Sequence, residues 1–451
     1  MCGTAPHIIR FNELSRWDVK SFCGHFDSKH QIVPLKELIT EHNEKIRLFD
    51  YPQKKFKILG VNNIEGIFYA YDVLGKEVKQ PYKKVNSGDF AYNPYRVNIG
   101  SIGWVPPEHS DAYISPAYVV FSIDTSVILS KVLWFILKSD LFNRSLRAAT
   151  AGSVRMNLTY PLLATLKIPI PPLSVQHKIV EHWEKAQIAI AASRNRMIQI
   201  EQKMQEEFLD DLGLVVPKHT TPAKFFAVNW RNFERWSINY HQSSVSMINI
   251  LRGKYPVSNL GSILELVQYG TSEKANSTKK GIPILRMNNI KDGHLNFSDL
   301  KYIDLPQKMK ESLLLVDGDI LFNRTNSKDL VGKCAVFYNN EEFVFASYLI
   351  RIRIDREQAS ADFIAHCINS IIVRQQINTF SRQIIGQANI NSQELKSLRV
   401  PLPPLDIQIG IMKKLQEGRK VIILQDEAIK SSIYKTQRQV EQMLLGNMEE
   451  R

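Results

Sequence analysis

The chain has 451 residues, too many for one ordinary core and enough for two or three domains that each bury their own apolar surface. Its 44% hydrophobic and 23% charged residues, with no low-complexity run, argue against global disorder. The formal charge of +13 favours polyanionic partners; no apolar run reaches the roughly 20 residues that cross a bilayer, and the opening lacks a basic, then apolar, leader, so a cytoplasmic protein without a membrane partner is expected.

Near the N-terminus, Cys23, His25 and His30 offer three metal-ligand types without a fourth at suitable spacing, and Cys2, Cys23, Cys334 and Cys367 form no CxxC pair, so neither a zinc knuckle nor a disulfide framework is expected. Ile67-Phe-Tyr-Ala-Tyr71 and Val119-Val-Phe-Ser-Ile123 read as strands, and Val132 to Leu141 as a helix. Next comes Ile168-Pro-Ile-Pro-Pro-Leu-Ser-Val-Gln176, whose prolines fix φ and force an extended approach, with Ser174 where a helix N-cap belongs. From there Ile179, Trp183, Ile190, Met197, Met204 and Phe208 recur at spacings of four and seven, one apolar stripe on a helix that ends near Gly213.

The second half repeats this order. Leu349-Ile-Arg-Ile-Arg-Ile354 reads as a strand half-exposed through Arg351 and Arg353, and Phe363 to Phe380 as one helix. Val400-Pro-Leu-Pro-Pro-Leu-Asp-Ile-Gln408 then matches the first proline motif 232 residues later, with Asp406 as the N-cap. The stripe Ile411, Leu415, Ile422, Ile429, Ile433, Val440 and Leu444 follows and ends near Gly446. Other matches keep order at offsets of 219 to 234: Arg16-Trp17 with Arg235-Trp236, Leu59-Gly-Val-Asn-Asn-Ile64 with Leu285-Arg-Met-Asn-Asn-Ile290, Gly88-Asp-Phe-Ala-Tyr-Asn93 with Gly318-Asp-Ile-Leu-Phe-Asn323, Tyr118 with Tyr348, and Gly152-Ser-Val-Arg-Met-Asn157 with Gly386-Gln-Ala-Asn-Ile-Asn391.

One unit therefore occurs twice, and the fold class is α+β. Two globular mixed α/β domains, residues 1–167 and 216–399, are each followed by a long spacer helix, residues 168–215 and 400–447. At about 1.5 Å per residue, roughly 40 residues reach about 60 Å, and so long and narrow a stripe suits an antiparallel coiled-coil pair.

No phosphate loop, HExxH helix or GxSxG elbow occurs. Asn93-Pro-Tyr95 resembles the Asp/Asn-Pro-Pro-aromatic motif of amino-methyltransferases but lacks the second proline and any Gly-rich turn for a methyl donor, and Asp317-Gly-Asp319 is explained by a turn into a strand. Weight moves from catalysis to binding. In the first unit the polar, basic segments are Lys54, Lys55 and Lys57 before Asn62 and Asn63; Lys83 and Lys84; Asn93, Tyr95, Arg96 and Asn98; and Ser153, Arg155 and Asn157. In the second they are Tyr269, Thr271, Ser272, Lys274, Lys279 and Lys280, then Arg286, Asn288 and Asn289, then Arg324, Asn326 and Lys328, then Arg382, Gln387, Asn389 and Asn391. Lysines of this kind suit phosphates, while Arg, Asn and Gln forks suit base edges.

The doubled order Arg-Trp, Asn-Asn-Ile, Gly-Asp and Pro-x-Pro-Pro-Leu-x-x-Gln resembles the specificity subunits of type I restriction-modification enzymes across nearly the whole chain. The resemblance implies two target recognition domains, related by a pseudo-two-fold axis, that each read one half of a bipartite double-stranded DNA site, and long helices that dock methyltransferase subunits, two of them, and restriction/translocase subunits. It also implies no catalytic residue, metal or cofactor in this chain, with S-adenosylmethionine, ATP and Mg used by the partners. The departure around Trp104-Val-Pro-Pro-Glu108 suggests different half-sites for the two domains. The rivals are a specificity component of a related type II or other defence-associated methyltransferase system, a chain with its own nuclease or methyltransferase activity, and a coiled-coil scaffold that binds only protein.

Overall fold

The computed structural model describes residues 27–63, 66–97, 100–149, 157–215, 250–327, 330–380, 382–384 and 387–447. The chain divides into two units: one from the described residues up to Arg194 together with those from Asp426 onward, the other from Asn195 to Gln425. The Arg-Trp pairs, Cys2, Cys23 and His25 lie outside the described residues.

In the first unit a four-stranded antiparallel sheet runs in the order Ile39–His42, Val119–Ile123, Phe90–Tyr92, Ile102–Trp104. Its apolar face carries Phe90, Tyr92 and Phe121 onto the helix Ser130–Lys138, through Val132, Leu133 and Ile136. A five-stranded mixed sheet adds Lys45–Ile46, Tyr82–Val85, Ala112–Ile114, Lys55–Val61 and Ile67–Leu74, in that order, with the last as an edge strand.

The second unit repeats the four-stranded sheet as Leu264–Tyr269, Leu349–Ile354, Ile320–Asn323, Cys334–Val336. A three-stranded sheet joins Lys301–Ile303, Ile282–Leu285 and Val344–Phe345, and a small one joins Thr325–Asn326, Gln387–Asn389 and Arg382–Ile384. The Gly-Asp landmark is a matching turn in both units. Asp89 Oδ2 accepts from Asn86 N at 2.8 Å and Asp319 Oδ2 from Val316 N at 3.0 Å, and the next carbonyl contacts, Val105 N to Asp89 O and Phe337 N to Asp319 O, are both 2.7 Å.

The proline motif shows why it was kept twice. Its extended part is a strand, Lys167–Ile170 paired antiparallel with Gln31–Pro34, and Arg399–Pro401 paired with Val257–Asn259. The closing glutamine is wholly buried in each copy. Gln176 Oε1 accepts from Leu129 N at 2.8 Å while Nε2 donates to Val127 O at 2.9 Å and Pro171 O at 2.8 Å. Gln408 does the same with Ser360 N at 2.9 Å, Gln358 O at 3.2 Å and Pro403 O at 2.8 Å. Leu129 and Ser360 precede the first turns of Ser130–Lys138 and Ala361–Asn369, so one side chain satisfies buried backbone groups where a domain helix meets a long helix.

The long helices are Leu173–Asp211 and Leu405–Leu445. Both end in the same left-handed glycine motif: Gly213 at φ +65° with Leu214 N to Leu209 O at 2.8 Å, and Gly446 at φ +71° with Asn447 N to Gln442 O at 2.9 Å. Every stripe residue is buried or half-buried. Within each unit the helix segments run antiparallel: His182 Nε2 meets Gln439 Oε1 at 3.2 Å in the first, and Lys414 Nζ donates to Asp211 Oδ2 at 2.9 Å in the second.

Three sequence expectations change. Ser174 and Asp406 are not N-caps, because the helices already begin at Leu173 and Leu405; the turn closes on proline carbonyls, with Gln176 N to Pro172 O and Gln408 N to Pro404 O both 3.0 Å. The predicted helix Phe363 to Phe380 is two, Ala361–Asn369 and Ile371–Phe380, broken where Ser370 Oγ donates to Cys367 O and accepts from Ile372 N; the predicted helix Val132 to Leu141 is likewise interrupted at Ser139, between Ser130–Lys138 and Asp140–Ala149. The strand Leu349–Ile354 is central rather than half-exposed. Arg353 grips Asp319 through Nε at 2.8 Å and Nη2 at 3.0 Å, and buried Arg351 lies 3.6 Å from the same carboxylate. Alternating arginines here satisfy a buried acid, a pattern that alternation alone cannot distinguish from exposure.

Candidate nucleic-acid interface

In the first unit the strand Lys55–Val61 points Phe56 and Ile58 into the core, which leaves Lys55 and Lys57 on the opposite face. Lys55 Nζ lies 2.9 Å from Asp72 Oδ2, and each holds the other in its charged form, with the lysine shifted up and the carboxyl down. Lys57 Nζ donates to Glu108 O at 3.2 Å, and Lys84 pairs with Asp111 at 2.9 Å. Lys83 is buried, and burial pushes its ammonium down. Lys54 is exposed, its ammonium 5.4 Å from the Phe56 ring centre and 5.9 Å from that of Tyr51.

Asn62 N donates to Gly66 O at 2.8 Å across the hairpin turn, and Asn63 O accepts from Lys138 Nζ at 3.3 Å. The same ammonium reaches Gly100 O, so Lys138 ties this turn to the loop that begins at Asn93. In that loop Asn93 Oδ1 accepts from Tyr95 N at 3.0 Å, leaving Tyr95 and Arg96 exposed. Leu158 N donates to Pro94 O at 2.9 Å, which brings exposed Asn157 alongside. The structure thus gathers Tyr95, Arg96 and Asn157. Asn98, Ser153 and Arg155 lie outside the described residues.

The second unit converges more tightly. Tyr269 ends its strand with its hydroxyl accepting from Ser392 N at 2.9 Å, and the Arg324 guanidinium lies 4.8 Å over its ring. Arg324 Nε is buried with no hydrogen-bond partner. The Arg324 backbone is fixed on both sides, N to Tyr348 O at 3.0 Å and O from Ile390 N at 2.9 Å. Beside it Thr325 Oγ1 donates to Asn389 Oδ1 at 3.1 Å, and strand pairing places Asn326 opposite Ala388 and Arg382 opposite Asn389, with Gln387 at the end of the same strand. Asn326 Nδ2 makes a weak 3.6 Å contact to Met287 Sδ. Asn391 caps the short helix Ser392–Lys396, accepting from Gln393 N and Glu394 N at 2.9 Å.

Thr271 is held through Phe345 O and Ser347 N, and Ser272, Lys274, Lys279 and Lys280 are exposed on the loop that follows. Lys328 lies outside the described residues. Two polar residues serve the scaffold. Arg286 Nη2 donates to Asp299 O at 3.2 Å, and buried Asn289 accepts from Arg286 N and donates to Asn296 O and Asp299 O. Asn288 between them stays exposed.

Exposed tyrosines absent from the residues that the sequence offers for binding include Tyr51, Tyr69 and Tyr71 in the first unit and Tyr348 in the second. Tyr69 and Tyr71 were read only as strand formers; two aromatics at i and i+2 of an edge strand share one face, and that was the available signal. Such surfaces combine flat rings, amides and an arginine fork, the donors and stacking faces that phosphates and base edges meet. Among the described residues, no group of three or more His, Cys, Asp or Glu is placed to hold a metal ion, and no helix is long and apolar enough to cross a membrane.

Residues 33–202 and 253–433 each match the family described as type I restriction modification DNA specificity domain. The chain is 27% identical over 294 residues to the type I restriction enzyme EcoKI specificity subunit of Escherichia coli, covering 64% of this chain and 59% of that one. It is 24% identical over 327 residues to the StySPI specificity subunit of Salmonella potsdam, covering 72% of this chain and 62% of that one. The matches therefore span less than two thirds of these relatives' lengths. A chain solved in work on the complex assembly and conformational transition of the type I R-M system superposes with a TM-score of 0.61 at 16% identity, covering 93% of this chain and 98% of that chain, which shows a shared fold.

Proposed function

Because the chain belongs to the family of the type I restriction modification DNA specificity domain, we propose that it is the sequence-reading subunit of such an enzyme and performs no chemistry itself. The observation that carries this is the doubled unit: two recognition domains on one scaffold, with the same four-stranded sheet, Gly-Asp turn and buried glutamine, but different loops. Two unlike readers suit a double-stranded DNA target of two unlike halves.

In the second unit Arg324, Tyr269, Asn326, Gln387 and Asn389 read bases, while Lys274, Lys279 and Lys280 hold phosphates. In the first, Tyr95, Arg96 and Asn157 read, and Lys54 with its lysine neighbours supplies phosphate contacts. Phosphate contacts position the protein and carry most of the salt dependence; base contacts carry the sequence. The long helices dock two methyltransferase subunits, and restriction/translocase subunits join that assembly. S-adenosylmethionine binds in the methyltransferase partners, ATP and Mg in the restriction/translocase partners.

The test is an exchange of residues 31–160 for the corresponding segment of a relative with another target. One half of the methylated sequence changes and the other half stays, as read by mapping methylated adenines. A change in both halves contradicts the modular reading.

A further inference from the structure

In the second unit a short hairpin pairs Ile290–Lys291 with His294–Leu295 and is anchored at its base, where Ile290 is buried and Asn289 Nδ2 donates to Asn296 O at 2.9 Å. Its turn holds Asp292 at φ +49° and Gly293 at φ +77°, the left-handed pair that a tight two-residue hairpin needs. The tip lies against the long helix Leu405–Leu445: a Cβ on Gly293 would stand 3.6 Å from Arg419 Nη2 and 3.4 Å from Asn369 Nδ2. There Arg419 Nη1 meets His294 Nε2 at 2.7 Å. A guanidinium only donates, so His294 must accept and therefore be neutral. Desolvation and the Arg419 charge push the His294 pKa down, in agreement.

His366, on the helix Ala361–Asn369, faces the same guanidinium across a cavity of about 340 Å³. Its ring packs edge-on against Phe208 of the long helix Leu173–Asp211, centroids 4.5 Å apart. Burial, with help from Arg419, brings its pKa to about 4. Two carboxylates act at this junction: Asp292 in the hairpin turn, and Asp362, whose Oδ2 accepts from Tyr338 OH at 2.9 Å. Lys333 and Arg374 line the cavity, Arg374 donating to Val331 O, and Leu173–Asp211 contributes only the uncharged Gln205, Phe208 and Leu209. Both carboxylates favour a proton on His294, yet desolvation and Arg419 outweigh them.

The first unit builds the matching junction on an aromatic ring that cannot titrate. Ser130–Lys138 and Ala361–Asn369 are equal in length and each begins beside the buried glutamine of a proline motif; the sixth residue is Phe135 in one and His366 in the other. Phe135 packs on Trp183 of Leu173–Asp211 with 4.8 Å between ring centres, as His366 packs on Phe208. We propose that His294, His366 and Arg419 form an acid-labile clasp: protonation of the two histidines frees the second recognition domain from its long helices while the first stays docked. A protonated His294 has no lone pair left for Arg419 and repels it, and a protonated His366 carries its charge into a desolvated, apolar contact. Both histidines have folded-state pKa values below the ordinary 6.5, so the clasp is intact above that pH and is lost as pH falls toward about 4. The inference stands whether or not the chain reads DNA.

Hydrogen exchange of the full-length chain, read by mass spectrometry and corrected for intrinsic rates at about pH 7.5 and about pH 5, tests it. On acidification the opening constant rises about tenfold or more in residues 290–295 and Ala361–Asn369, and by far less in Ser130–Lys138. His294→Gln keeps an acceptor and His366→Phe copies Phe135, so the double variant keeps its protection at the lower pH. Where that variant is unfolded at the higher pH, ring NMR of the wild type decides, and both rings titrate below 6.5. An equal acid response in the two junctions, unchanged protection of the second, or a folded double variant as acid-labile as wild type overturns the proposal. So does titration of His294 or His366 at or above 6.5.

Discussion

Arg324 and Asp319 show how differently one chain uses the same ionic chemistry. The Arg324 guanidinium is half-buried and stacked on Tyr269 and meets no carboxylate among the described residues, whereas Arg353 grips Asp319 and Arg351 lies 3.6 Å from it. A stacked, pre-oriented fork suits bidentate recognition of guanine. Arg324→Gln, assembled with its methyltransferase, should relax one position of the second half-site by about 1–3 kcal/mol and leave the others sharp. Methylation of a library of site variants measures this; an unchanged preference at every position sinks the assignment. The duplicated acids should part company too. Asp319→Asn removes the carboxylate that Arg353 grips and that lies 3.6 Å from buried Arg351, which keeps its bonds to Gln268 Oε1, Ser312 O and Leu314 O, and should cost about 3–5 kcal/mol in urea denaturation. Among the described residues the one basic group paired with Asp89 is His42, at 3.9 Å, and burial raises the Asp89 pKa. The folded state thus holds that proton more tightly, so stability falls as pH rises from the ordinary carboxylate pKa through the raised one. Asp89→Asn keeps an acceptor for Asn86 N and should be neutral or stabilising above that window; a loss matching that of Asp319→Asn would refute the contrast.

The elements repeat more faithfully than the residues between them. Gln176 and Gln408 each satisfy one N–H and two carbonyls at the junction of a long helix with a domain helix. Replacing either by Leu orphans those groups and should cost about 2–4 kcal/mol by denaturant melting, with similar values for the two sites. A negligible loss at both would show the motif to be incidental. Much at this scale was legible in the sequence, because it is local. Periodicity announced the long helices and their buried stripes, and Gly213 and Gly446 marked their ends. What escaped depends on distant residues. Alternation in Leu349–Ile354 could not reveal that Asp319 waits one strand away, and nothing in the polar loops could show that Tyr269, Arg324, Asn389 and Ser392 meet. Asn289 resembled a reader until its side chain proved bound to the backbone of Asn296 and Asp299.

At the scale of the whole molecule, duplication and charge carry the account. A chain with a net charge of +13 and two variants of one recognition unit is suited to hold DNA through phosphates and to read two separate segments of it. The shared parts, from the Gly-Asp turns to the buried glutamines, are scaffold; the loops around Arg324 and around Tyr95 differ between the units, so the two half-sites should differ in sequence. The central claim is that this chain directs methylation to one bipartite sequence. Genome-wide mapping of methylated adenines in cells with and without the chain tests it most directly. The account predicts a single two-part, asymmetric motif that is methylated with the chain and unmethylated without it; a methylation pattern indifferent to the chain would contradict it.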